Sequence, residues 1–346
     1  MKKYNLLLLA SAFAFSTQAQ FNSEKDPFLT KTFTADAVKN VKAQTSGGSI
    51  TVEGGAGNTR IEVYVRPSNM RNSDDISKEE LQKRLDDDYE LNVSVDGNTL
   101  NAIAKQKNRN IDWKRSVSIS YKIYVQQNVS TDLTTSGGSI KLKNLSGNQD
   151  FSTSGGSLSV EKMSGNVVGR TSGGSITLTE CKDKVDLATS GGSINASKCT
   201  GKIKLATSGG SLTLEDLNGT IDATTSGGGV NGHDIQGELE AHTSGGSISL
   251  QRLACSLETS TSGGHISVEM SELKDYVRIN NSAGNIELTI PNKGADLKLK
   301  ADRIRTEKFN NFTGSVEDDN INGKLNGGGT KVSVDAGSGR ITLNIK

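Results

Sequence analysis

Thr171-Ser172-Gly173-Gly174-Ser175-Ile176-Thr177-Leu178-Thr179-Glu180-Cys181-Lys182-Asp183-Lys184-Val185-Asp186-Leu187-Ala188 is followed at once by Thr189-Ser190-Gly191-Gly192-Ser193-Ile194, so the same word returns after 18 residues. The Thr-Ser-Gly-Gly word stands at Thr135, Thr153, Thr171, Thr189, Thr207, Thr225, Thr243 and Thr261, each 18 residues from the next. A fixed period without insertions means stacked structural repeats. Within each period the apolar residues alternate with polar ones. One inward column runs Ile140, Leu158, Ile176, Ile194, Leu212, Val230, Ile248, Ile266, and a second, two residues on, starts at Leu142, Val160 and Leu178. A third holds Leu145, Met163, Cys181, Cys199, Leu217, Ile235 and Leu253, and a fourth Val167, Val185, Ile203, Ile221, Leu239 and Leu257. Period-two alternation with β-branched residues describes strands, and a Gly-Gly pair in every repeat would weaken any helix by about 1 kcal/mol per glycine.

Each repeat therefore predicts two short strands, such as Ser175 to Thr179 and Lys184 to Thr189, joined by a turn and closed by a Ser-Gly-Gly corner where glycine tolerates positive φ and close backbone approach. Repeats in identical register stack in parallel about 4.8 Å apart. The fold class is all-β: a right-handed parallel β-solenoid with 18-residue coils, two-sided or, if the turns are sharp, three-sided. About five inward side chains per coil give on the order of 10 kcal/mol of gross burial, against about 1–2 kcal/mol of backbone entropy for every ordered residue. No coil is stable alone, and the ends of the stack need caps.

Caps are expected at both ends. Ser77 and Glu80 form a capping box, Ile76 is placed to staple onto Leu81, and Leu81, Leu85 and Tyr89 make one stripe, which predicts a short helix near 77–89. Strands are expected at Leu91 to Val95, Thr99 to Ala104 and Val117 to Gln126. A ninth Thr-Ser-Gly-Gly at Thr45, 90 residues before Thr135, reads either as a first coil or as coincidence. After Met270 the period slips; Asn285 to Leu288 and Arg340 to Leu343 read as degenerate coils, and Arg305 to Asn322 as a loop insertion. The expected organisation is a signal peptide over 1–19, a lead-in segment over 20–44, a first coil and N-terminal capping region over 45–130, the regular solenoid over 131–290, and degenerate C-terminal coils with a cap over 291–346. The signal rests on Lys2-Lys3, the apolar run Leu6 to Phe15 and Thr17-Gln18-Ala19, which place cleavage before Gln20. That apolar run is too short for a mature membrane span, and no later segment reaches that length.

Repeated Thr-Ser-Gly-Gly-Ser-Ile, preceded by Val117-Ser118-Ile119-Ser120-Tyr121-Lys122-Ile123-Tyr124-Val125, resembles bacterial β-strand-repeat proteins catalogued as candidate adhesins, a domain family of unknown function. The resemblance runs from Thr45 to Lys346 and differs at Gln126-Gln127, where a proline often follows the strand. It implies a fold and brings no catalytic residues.

The chemistry in the sequence is sparse. The net charge is +1 with both signs interspersed, which argues against nucleic acid or an anionic membrane as the main partner, and aromatic residues make up 4%, too few for an ordinary globular core or for a stacking surface that grips sugars or bases. Cys181 and Cys199 lie one period apart in an inward column, where they are either small core residues or, in an oxidising compartment, a disulfide. His233, His242 and His265 fall in three different columns and Cys255 in another, so no metal site is expected. Asp150, Asp186, Asp222, Glu240 and Glu258 share an outward column interrupted by Val168 and Lys204. No catalytic residue, cofactor or metal ligand is assigned. The expected function is that of an exported, non-enzymatic scaffold, periplasmic or at the cell surface, binding a protein or glycan of the envelope along its repetitive face. A carbohydrate-active β-helix, a lyase or hydrolase using that acidic column, is the alternative.

Overall fold

The computed structural model describes residues 25–34, 37–68, 76–108, 112 and 114–346. The predicted signal peptide lies outside the described residues. The fold is a parallel β-solenoid. Every neighbouring pair of regular coils is in register: Ile176 pairs with Ile194 on one side of the coil and Val185 with Ile203 on the other. In the early coils the leading strand (Ile140–Lys143, Leu158–Glu161, Ile176–Thr179) is separate from the trailing strand (Ser146–Thr153, Ser164–Thr171, Lys184–Thr189). From Ile194 on, the two run together as Ile194–Thr207, Leu212–Thr225, Val230–Thr243 and Ile248–Thr261. The inward columns of all coils join one core that extends from Phe28 to Leu343.

The coil has three corners, which settles the question left open between two and three sides. The second corner falls at Asn144, Lys162, Glu180, Lys198, Asp216, Asp234 and Arg252, all left-handed with φ between 51° and 57°. The third falls at Gly147, Gly165, Asp183, Gly201, Gly219 and Gly237, again at positive φ. Between them lies a side of only two residues, as at Cys199-Thr200, whose first residue points into the core. A left-handed non-glycine residue costs roughly 1–2 kcal/mol. The buried Leu, Met, Cys or Ile that follows it offsets this with a contribution of similar size.

The first corner is built differently. Neither glycine of any Thr-Ser-Gly-Gly word has positive φ, which corrects half of the expectation for them. The second glycine is needed for close approach: a Cβ on Gly192 would lie 2.1 Å from the carbonyl oxygen of Gly174 in the coil below. The threonine before it is buried and closes the corner. Thr189 Oγ1 donates to Gly174 O at 2.8 Å and accepts from Gly192 N at 3.2 Å, and the same donation recurs from Thr135 to Thr261 at 2.7–2.9 Å. One hydroxyl thus satisfies two buried backbone groups, each of which would cost about 1–3 kcal/mol unpaired. Where the threonine column ends, Asn281 takes over, its amide donating to Gly264 O at 2.7 Å and its Oδ1 accepting from Gly284 N at 3.0 Å. Column exceptions in the core are matched in the same way. Gly169 follows Phe151 by one coil, and a Cβ there would sit 2.4 Å from the Phe151 ring.

Both ends depart from sequence order. Thr45 belongs to a true coil: Asn40–Thr45 pairs in parallel with Ser130–Thr135 on one side and with Thr99–Gln106 on the other, while Ile50–Gly54 lies between Ile140–Lys143 and Val117–Val125. The chain lays down this coil, leaves to build the cap, and returns beyond it. In the cap, Leu29–Phe33, Thr59–Pro67 and Val117–Val125 are antiparallel neighbours, as are Tyr89–Asp96 and Thr99–Gln106. The helix Lys78–Asp88 has Ser77 as its N-cap, accepting from Glu80 N, and buries Leu81 and Leu85.

The C-terminal end mirrors this. Ala295–Lys300 and Arg303–Thr306 form the outer coil, and the final strands Thr330–Asp335 and Arg340–Ile345 slot in beneath it, against Ile266–Asn281 and Ile286–Ile290. The loop insertion expected over Arg305 to Asn322 is instead largely strand. Phe312–Val316 and Asn320–Leu325 form a hairpin that extends the sheet antiparallel to Ala295–Lys300. Its low hydrophobicity hid it, because it is an edge hairpin open to solvent on most of its surface. Among the described residues, no helix is long and apolar enough to cross a membrane.

Candidate functional site

A shallow groove of about 610 Å³ follows the Ser-Gly-Gly corner across five consecutive coils. Its floor is the buried threonine column, so its shape is fixed by the same hydrogen bonds that close the corner. The exposed serines from Ser136 to Ser208, at 18-residue steps, form one wall. Thr134, Ser152, Ala188 and Ala206 form the other, with the Arg170 side chain laid along it. The Arg170 guanidinium pairs with Asp186 at 2.9 Å and donates to the Asp186 carbonyl oxygen at 2.7 Å, so it is fixed in place. The groove offers hydroxyl donors and acceptors at a repeat of about 4.8 Å. A repeat of that kind matches the spacing of an extended polar chain.

The acidic column stands on the outer side of the trailing strands. Asp186, Asp222 and Glu258 are drawn into ion pairs with Arg170, Lys204 and Arg278 at 2.9, 3.3 and 3.1 Å. Such exposed pairs contribute about 0–1 kcal/mol each, and they take these carboxylates up as partners of neighbouring cations. Lys204, which interrupts the column, is therefore part of its pattern of charge pairing.

The histidines stay apart. His233 Nδ1 lies 2.8 Å from Asp234, and Arg252 clamps the same carboxylate at 2.6 Å; the Arg252 bonds first, then His233, hold Asp234 well below the usual carboxylate range. His242 meets Ser260 at 2.8 Å. Among the described residues there is no group of three or more His, Cys, Asp or Glu side chains placed to hold a metal ion.

Cys181 and Cys199 stack in adjacent coils as buried free thiols, with Cys181 N donating to Cys199 Sγ at 3.2 Å. The neighbouring sulfur and burial push the Cys181 thiol up, and burial alone pushes Cys255 up to about 12. All three thiols are closed off from solvent in the core, so slow chemistry is expected. In the folded chain none of the three cysteines should react with a thiol reagent at neutral pH. On denaturation without reductant all three should titrate. A count of one would instead establish a Cys181–Cys199 disulfide.

The family described as Toastrack DUF4097 matches residues 238–344, a span that takes in the last regular coils and the out-of-order C-terminal coil. No curated protein matches. Among solved structures, a proposed cell adhesion protein from Clostridium sporogenes is 13% identical over 92% of this chain and 98% of its own, with a TM-score of 0.19. A proposed lipid binding protein from Parabacteroides distasonis is 15% identical over 93% and 99%, at 0.32. A proposed adhesin from Bacteroides fragilis is 12% identical over 92% and 96%, at 0.26.

Proposed function

We propose that this chain is an exported, non-enzymatic scaffold, periplasmic or at the cell surface, that binds an extended envelope glycan along the Ser/Thr groove. The observation that carries this reading is the groove itself: five coils in register present the same serine hydroxyl wall, Ser136 to Ser208, facing a second wall whose one charged side chain is Arg170. Each net hydrogen bond contributes about 0.5–1.5 kcal/mol. One bond per coil over five coils gives on the order of 5 kcal/mol before ordering costs, which corresponds to roughly millimolar affinity. Useful retention then comes from many rods meeting many chains, through avidity.

The test is binding of the purified chain to peptidoglycan, capsular polysaccharide and soluble oligosaccharides, with reaction products checked in the same tubes. Weak binding to short oligosaccharides, strong retention on the polymers and no cleavage are expected. Ala188→Trp, which fills the groove from an outward position, should weaken retention about tenfold through the loss of roughly one coil's contacts, without lowering the melting temperature. A protein partner would show as saturable binding to intact cells that survives removal of the glycans. Released, shortened oligosaccharides would overturn the scaffold reading and direct attention to Asp222, Glu240 and Glu258.

A further inference from the structure

A second concavity, of about 400 Å³, lies at the C-terminal end, away from the groove. It is borne on the outer side of three hydrogen-bonded strands, Asn320–Leu325, Ala295–Lys300 and Thr330–Asp335, in that order across the sheet. Pairing register sets its chemistry. Asp296 is flanked on the two neighbouring strands by Lys324 and Lys331, and two residues on, Lys298 is flanked by Asn322 and Ser333. All six residues line the concavity. None of the three lysine ammoniums has an ion-pair partner among the described residues, although a carboxylate stands between two of them. Asp296 Oδ1 is buried without a hydrogen bond. Gly328 passes directly over it at φ 90°, where a Cβ would lie 2.6 Å from that oxygen. The loop therefore holds the carboxylate down in the sheet while the lysines stay exposed.

We propose that this concavity binds a small phosphorylated saccharide. Three ammoniums and one carboxylate leave a local charge of two positive units, the complement of a phosphate monoester, which carries about −1.5 to −2 at neutral pH. Phosphate alone would leave most of the volume empty. Concave sites of about 300–1,000 Å³ are the size that takes a small organic ligand. Asn322 and Ser333, beside Lys298, supply the neutral amide and hydroxyl groups that sugar hydroxyls need. Because the groups sit on strands and not on mobile loops, little ordering is needed on binding. The phosphorylated sugar could be free in solution or the headgroup of a glycolipid, and the chemistry recognised is the same.

Titration calorimetry of the full chain tests this with glucose 1-phosphate, glucose, inorganic phosphate and sulfate. A parallel arm uses phosphatidylcholine vesicles with and without a phosphorylated glucosamine lipid. Glucose 1-phosphate should bind saturably and more tightly than inorganic phosphate, and glucose should not bind. The double variant Lys298→Gln/Lys331→Gln should lose about a hundredfold or more in affinity, the loss of two charge-assisted bonds, with an unchanged melting temperature. Affinity should fall as pH drops below about 6, where the phosphate gains a proton. Binding in solution but not to the doped vesicles would identify a free ligand, and tighter binding to the doped vesicles a lipid headgroup; both support the site. Sulfate or phosphate binding as tightly as the sugar phosphate, affinity indifferent to the double variant, or no binding in either arm would overturn it.

Discussion

Gly192→Ala should destabilise the solenoid by about 3 kcal/mol, whereas Gly191→Ala, one residue earlier, should change stability by no more than about 0.5 kcal/mol. The two glycines are neighbours in the same word and neither has positive φ, so backbone preference does not distinguish them. Space does. A Cβ on Gly191 meets nothing closer than Ser172 O at 3.5 Å, an ordinary contact. On Gly192 it falls 2.1 Å from Gly174 O, 2.4 Å from Gly174 C and 2.6 Å from Ser175 N. All three are backbone atoms of the coil below, and they cannot rotate away as a side chain would. Relief requires the two coils to separate at the corner, which stretches the bond that Thr189 Oγ1 donates to Gly174 O in the coil below. The contrast repeats along the rod: the nearest atom is 3.6 Å away for Gly155 and 2.0 Å for Gly156. Urea denaturation followed by far-ultraviolet circular dichroism measures both variants against the parent. Equal losses for the two substitutions would mean that the corner depends on glycine flexibility and not on close approach.

That contrast also marks where reading the sequence stops. The repeat, the inward columns and the parallel stacking follow from spacing alone, since an 18-residue period with period-two alternation admits few other folds. Three features do not follow. The left-handed second corner falls on Lys162, Glu180, Lys198 and Arg252 as readily as on Asn144, and charged residues give no warning of that conformation. The coil after Thr261 shows in the sequence only through Asn285 to Leu288, because its corner, Asn281-Ser282-Ala283-Gly284, keeps the hydrogen bonds of the threonine word while replacing the threonine and the first glycine. Order in space is hidden most completely. Nothing in a run of alternating residues says which coil it will lie against, so neither the placement of Thr45 beside Thr135 nor the late insertion of Thr330–Asp335 was legible. The candidate sites divide in the same way. The groove could be traced from the Ser column, whereas the lysine concavity needs Lys298, Lys324 and Lys331 brought together from three strands by that inserted register.

Removing residues 330–346 should release the C-terminal cap while leaving the regular coils intact. These residues are the layer that joins the outer coil to the stack: Thr330–Asp335 pairs with Ile266–Asn281 below and Ala295–Lys300 above, and Arg340–Ile345 with Ile286–Ile290 and Arg303–Thr306. Val332, Val334, Ala336, Ile341 and Leu343 are all at most 1% exposed. Losing the four larger of them removes about 1.5–3 kcal/mol of burial each, more than a hairpin cap can replace. It also leaves two strand edges separated by a missing layer, about 9–10 Å apart and too far to bond. Amide exchange should therefore show Ala295–Lys300 losing its protection by several orders of magnitude, while Ile194–Thr207 exchanges as slowly as in the full chain, as local unfolding units do. The bared edge at Tyr276 to Asn281 should pair with a second chain, giving dimers on size exclusion. Retained protection at Ala295–Lys300 would mean that the outer coil packs on the stack without the inserted layer. Loss of protection throughout would mean that the inserted layer supports the whole rod. The expected result lies between: a rod whose coils hold one another in pairs, and an end that holds only because the chain comes back to fill it.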